Sequence, residues 1–165
     1  MKKTFLSMAI IVSLLLCAIG IQAQDAGKGL DQLKVAEKYL VGNWQLVDKD
    51  TTYVWEAKLD GNVILVTDYI IVNGKKSVDS YWSYSYKPER DNFYIFAANV
   101  SGGFRSLIGS FTAENKWSQD FLELFNPEKK YAKVEFVYDT PTSFAFTYFY
   151  AEGGIVFEGK VSRIE

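Results

Sequence analysis

No histidine occurs among the 165 residues of this chain, and its one cysteine, Cys17, falls within the first twenty. Without histidine there is no Ser–His or Cys–His nucleophilic machinery, no usual zinc or iron ligand, and no proton switch near neutral pH. Prolines are scarce: Pro88, Pro127 and Pro141 each fall in a break between apolar runs, where a missing backbone donor does no harm. No glycine-rich loop leads into a helix, which removes phosphate binding by that route. Basic runs are missing as well, so the chain has no electrostatic footprint for nucleic acid or an anionic membrane. Asp48, Asp50, Asp60 and Asp68 lack the spacing of a calcium loop and read as solvated residues at strand ends and turns.

What is present begins with an export signal. Lys2 and Lys3 give a positive start, Phe5 to Ile21 is apolar apart from Ser7, Ser13 and Gly20, and Ile21-Gln22-Ala23 offers a small residue for cleavage. That order predicts a secretory signal peptide over residues 1–23, bacterial in type, and a chain exported to the periplasm or beyond. Cys17 follows the bulky Leu16, where a lipoprotein signal wants a small residue, so lipid anchoring is not expected. Removing the first 23 of 165 residues leaves 142, enough for one domain with a core of its own and no thiol. The loss of two lysines takes the net charge from −2 to −4.

Residues 24–42 form a polar leader and a short helix. Leu30, Leu33, Ala36, Glu37 and Leu40 follow helical spacing, with Asp31 near the start and Gly42 past the end. From Asn43 the period changes to two, predicting strands near 43–49, 51–59, 62–72, 78–86, 92–98, 104–112, 117–125, 131–138, 143–150 and 155–164. Asp60-Gly61 and Asn73-Gly74 are strong hairpin signals, because their residues tolerate positive φ. Short hairpins in sequence make a meander, and eight to ten such strands close into a barrel. The expected fold is therefore all-β: a single up-and-down antiparallel β-barrel over residues 43–165, with a short N-terminal helix. The helix either plugs one mouth of that barrel or forms a loosely attached arm.

Aromatic residues reach 16% of the chain, a quantity of ring too costly to leave exposed. Alternation turns Tyr53, Trp55 and Ala57 inward, as it does Ala132, Val134, Phe136 and Tyr138. It also sends Phe144, Phe146, Tyr148 and Tyr150 to one face, and Phe157, Gly159, Val161 and Arg163 inward at the end of the chain. Around Tyr81–Tyr86 and Tyr94–Ala98 both faces hold rings or small residues, and the faces stay unassigned. Tyr53, Tyr69, Tyr84, Tyr138 and Tyr148 would give the interior several hydroxyls, since a buried tyrosine needs a partner. Two settings accommodate them: a cavity for an amphipathic ligand, or barrel mouths where hydroxyls touch water.

Gly42-Asn43-Trp44 on the first strand, with Arg163 ending the last, resembles the calycin superfamily of lipocalins and fatty-acid-binding proteins. The resemblance implies that Arg163 covers Trp44 in a structural contact joining first strand to last, outside ligand recognition. Tyr84-Ser85-Tyr86-Lys87-Pro88, Asn99-Val100-Ser101-Gly102-Gly103 and Ile108-Gly109 before Phe111 are also similar in spacing to an uncharacterised group of secreted, lipocalin-like domains. The chain departs from the lipocalins in having no disulfide and no clear match to their second and third loops. It departs from the fatty-acid-binding proteins in having no two-helix lid, and from haem-binding relatives in having no axial histidine.

The expected function is a carrier or sensor for a small hydrophobic or amphipathic molecule, without metal, cofactor or catalysis, as a monomer or weak homodimer. Tyr53, Trp55, Phe136, Phe146, Tyr148 and Phe157 are the expected pocket lining, and Arg105 the positive charge for a ligand carboxylate. Two alternatives stand beside it. One is a cofactor-free isomerase or lyase using pocket Tyr, Arg and Glu, with Arg105, Asp120 and Glu123 as candidates that alternation does not bring inward together. The other is a filled structural or protein-interaction barrel.

Overall fold

The computed structural model describes residues 29–124 and 131–164, without the side chains of residues 123, 124 and 131. The expected signal peptide, Cys17 and Pro127 lie outside the described residues.

Helix α1, Gln32–Tyr39, starts where Asp31 accepts a hydrogen bond from the Lys34 backbone N–H at 3.1 Å, an N-cap that satisfies one orphan donor of the first turn. Its buried face is Gln32, Ala36 and Tyr39, while Glu37 is exposed and Leu33 and Leu40 are only partly covered.

Ten strands follow: β1 Gly42–Asp48, β2 Thr51–Asp60, β3 Val63–Val72, β4 Lys75–Lys87, β5 Asn92–Asn99, β6 Phe104–Ala113, β7 Lys116–Leu124, β8 Tyr131–Thr140, β9 Ser143–Tyr150 and β10 Ile155–Ile164. Each pairs antiparallel with its neighbour in sequence, and β1 pairs with β10, closing the barrel. The expected fold is the observed one. Asn73 and Gly74 both take positive φ, at 51° and 74°, as their hairpin signal requires. At the β2–β3 hairpin Asp60 still pairs with Val63, so the loop is Gly61-Asn62, one residue later than the Asp60-Gly61 signal.

Closure is short. Only Asn43, Trp44 and Gln45 of β1 find register partners on β10, in Ile164, Arg163 and Ser162. The rest of β1 pairs with β2 alone.

Packing divides the interior in two. At the helix end Phe93, Phe111 and Trp117 pack together out of solvent, with Phe111 and Phe93 ring centroids 4.9 and 5.3 Å from Trp117. Gly109 exists for this contact, since a Cβ there would meet Trp117 at 2.5 Å. Helix α1 closes the same end. Tyr39 packs on Tyr138 of β8 at 4.7 Å, and the Gln32 amide donates to the Phe111 carbonyl and accepts from its N–H. Strand β5 begins at Asn92 and its Phe93 pairs with Gly109, so β6 runs past the end of its neighbour. Gln32 takes the place of the missing strand residue and satisfies both Phe111 backbone groups.

Candidate functional site

Toward the other end the barrel is hollow. A cavity of about 700 Å³ runs from Leu40 and Trp44 under the helix to Tyr150, Val156 and Phe157 at the far rim. Tyr150 and Phe157 are 43% and 46% exposed there. The six residues expected as pocket lining, Tyr53, Trp55, Phe136, Phe146, Tyr148 and Phe157, border this space, and so does Arg105, expected as a charge for the ligand. Gly159 makes room for one of them, because a Cβ at that position would lie 2.8 Å from the Phe146 ring.

The closure pair stands at the inner end. The Arg163 guanidinium sits 4.6 Å from the Trp44 ring centroid, and the two are direct register partners. Trp44 also touches the cavity, so it is part of the wall as well as of the seam.

Strands β4 and β5, unassigned from sequence, resolve cleanly. Trp82 and Tyr84 face the cavity, Phe93, Ile95 and Ala97 are buried, and Tyr81 and Phe96 are exposed on the outside. Tyr69 corrects the expected set of inner hydroxyls. It sits on the outer face, with the Lys76 ammonium 3.7 Å from its ring centroid and the Glu56–Lys76 ion pair beside it.

The larger correction is Asp68. It is not a solvated turn residue but a buried wall residue of β3, on the same face as Ile64 and Val66 and 9% exposed. Asp48, Asp50 and Asp60 are exposed, as expected. One oxygen of Asp68, Oδ2, accepts from the Ser80 hydroxyl at 2.8 Å and from Trp82 Nε1 at 2.6 Å. The other, Oδ1, is buried without a partner. Burial pushes the carboxyl up to about 7, with Asp79 adding to the rise, while the bonds from Ser80 and Trp82 and the charge of Arg105 work against it.

Strand register explains why Arg105 faces the same region. Trp82 pairs with Ala97, and Ala97 pairs with Arg105, so a single small residue separates indole from guanidinium along the wall. Among the described residues no carboxylate lies within salt-bridge distance of Arg105. Tyr84 and Gln119 extend the polar strip, and burial holds the Tyr84 hydroxyl well above its usual range. The wall opposite, from β8 to β10 and β1, is made of rings and aliphatic groups.

Asp120 is exposed on the outer face, and the Glu123 side chain lies outside the described residues. The expected trio with Arg105 therefore has no second member inside among the described side chains. Nor do these residues hold a group of three or more His, Cys, Asp or Glu able to bind a metal ion.

No protein-family model matches the chain, and no curated protein does. Among solved structures, it is similar to a redesigned β-barrel, mFAP1, bound to DFHBI, at 14% identity and a TM-score of 0.36, covering 79% of this chain and 98% of that one. At that score the likeness says nothing about this chain's ligand.

Proposed function

We propose that the protein is an exported, calycin-like barrel that holds a small hydrophobic or amphipathic molecule as carrier or sensor. The observation that carries this reading is the cavity of about 700 Å³, within the range of small-molecule sites and lined mostly by rings with a few convergent polar groups. A barrel built only as a scaffold would pack this space with rings, as Phe93, Phe111 and Trp117 pack together at the other end. Tyr53, Trp55, Phe136, Phe146, Tyr148 and Phe157 are the contacts assigned to the ligand's apolar part.

Native mass spectrometry of protein purified from its own host tests the reading. The expected result is a copurified small molecule whose occupancy falls in Ala57→Trp, a substitution that fills the cavity from its wall. Protein that carries no small molecule, and that fails to brighten the neutral dye N-phenyl-1-naphthylamine, overturns it. Export is tested on the same material by N-terminal sequencing, which is expected to begin at Gln24.

A second reading, cofactor-free isomerisation, is favoured by Asp68, a carboxyl raised to about 7 in a cavity that also holds Arg105. Such a group is suited to taking a proton from carbon at neutral pH. It replaces Asp120 and Glu123 in the catalytic alternative. Deuterium exchange into the copurified ligand in D₂O, present in the wild type and lost in Asp68→Asn, would establish it; absence of exchange would remove it.

A further inference from the structure

The cavity's two charged side chains, Asp68 and Arg105, stand on one wall and carry opposite signs. Asp68 on β3 is fixed in orientation by the Ser80 and Trp82 donors, both of which bind Oδ2. Oδ1 is left buried and bare, a standing cost that a partner would relieve. Arg105 on β6 lines the same cavity with its donors unclaimed by any described carboxylate. The two side chains make no ion pair with each other, and both border the same cavity.

We propose that this wall recognises the polar head of the ligand, and that the head is uncharged, with a hydrogen-bond donor beside an acceptor, as in a carboxamide. The donor meets Asp68 and the acceptor meets Arg105. The proposal rests on the cavity being a ligand site. It also revises the carboxylate expected for Arg105 from sequence. An anionic head that pairs with Arg105 is brought against the Asp68 carboxylate in a low-dielectric cavity, and a cationic head meets the reverse conflict. A neutral donor–acceptor head satisfies both.

The ionisation of Asp68 sets how strongly a carboxylate is refused. The titratable and charged groups around it are Asp79 and Tyr84 on β4, Arg105 on β6 and Tyr53 on β2; Trp55, its register partner on β2, carries no charge. With a carboxyl titrating at about 7, Asp68 is mostly ionised at pH 8 and mostly protonated at pH 6.

Dodecanamide and dodecanoic acid, which share a tail, separate the possibilities by competition against N-phenyl-1-naphthylamine. The expected result at pH 8 is at least tenfold tighter binding of the amide. The acid is expected to gain about tenfold between pH 8 and pH 6, following the protonated fraction of one group titrating near 7. In Asp68→Asn the side-chain NH₂ replaces the bare oxygen, so the preference reverses and the acid's pH dependence disappears. Arg105→Gln, at a half-buried position, serves if that variant does not fold: the acid weakens more than the amide. Equal binding of the two at pH 8, or tighter binding of the acid, overturns the head assignment and leaves the carrier reading standing. Displacement of the dye by neither compound has the same effect. Failure of the dye itself to bind overturns the head assignment, and together with the absence of a copurified molecule it overturns the carrier reading as well.

Discussion

Arg163 covers Trp44 and at the same time holds the helix: its guanidinium, 4.6 Å from the indole centroid, donates to the Lys38 carbonyl at 3.2 Å and to the Val41 carbonyl. Trp44 answers with a bond from its Nε1 to the Leu40 carbonyl at 3.2 Å. The last carbonyls of a helix have no partner within it, and here the barrel's closing residues supply them. The seam and the plug are one structure. Arg163→Ala is expected to cost about 2 kcal/mol in urea unfolding, from a cation–π contact and two charge-assisted bonds. Arg163→Lys should recover less than half, because one ammonium cannot cover a ring and reach two carbonyls together. Full stability in Arg163→Ala would refute the linkage.

Gly42 allows that arrangement. Its φ of +127° is a conformation that other residues rarely adopt, and a Cβ would lie 3.1 Å from Arg163 Nε. Gly42→Ala is expected to lower stability by about 1–3 kcal/mol and to loosen the Trp44–Arg163 contact. Thermal unfolding read by circular dichroism, together with the near-ultraviolet signal of the tryptophans, would detect both.

Gln32 is a helix residue doing a strand's work. Gln32→Leu keeps the volume but leaves the Phe111 N–H and C=O buried and bare, at about 1–3 kcal/mol for each orphaned group. The expected outcome is a lower melting temperature and faster proteolysis around residues 29–41. A protease pattern unchanged from the wild type would show that the helix is held without it.

Asp68 makes stability depend on pH in an unusual direction. Its carboxyl is raised from 3.8 to about 7 on folding, so between those values the folded state holds the proton more often than the unfolded chain does. Stability from this group is therefore present at low pH and lost as pH rises through the window, by about 3 kcal/mol between pH 5 and pH 8. Asp68→Asn lacks that slope, so its stability relative to the wild type should grow with pH over the same interval. Urea titrations at each pH measure the difference directly. A constant difference would mean that Asp68 is not raised.

The strands were legible because ring and aliphatic residues alternate with polar ones around turns that contain glycine, asparagine or proline. Nothing but period two was needed to place Trp55, Phe136 and Phe146 in the cavity. Tyr69 directly follows the inward Asp68, so period two turns it out; its hydroxyl suggested the interior, but a ring is as content under a lysine outside as in a core. Asp68 was hidden for a different reason. A carboxylate inside a barrel contradicts burial by composition, and its support from Ser80 and Trp82 comes from the next strand, twelve and fourteen residues away. The clue in the sequence was parity: Asp68 shares its face with Ile64 and Val66.

The β1–β10 ladder is laced only at the capped end, and this leaves the wall least bound beside the rim. Below Gln45 and Ser162 the two staves are unjoined, with Leu46 on one lip and Val156 and Phe157 on the other, all bordering the hollow. A hoop fastened at its base and slit above can spread like a cuff. Spreading the staves beside the rim therefore breaks no register pair between β1 and β10.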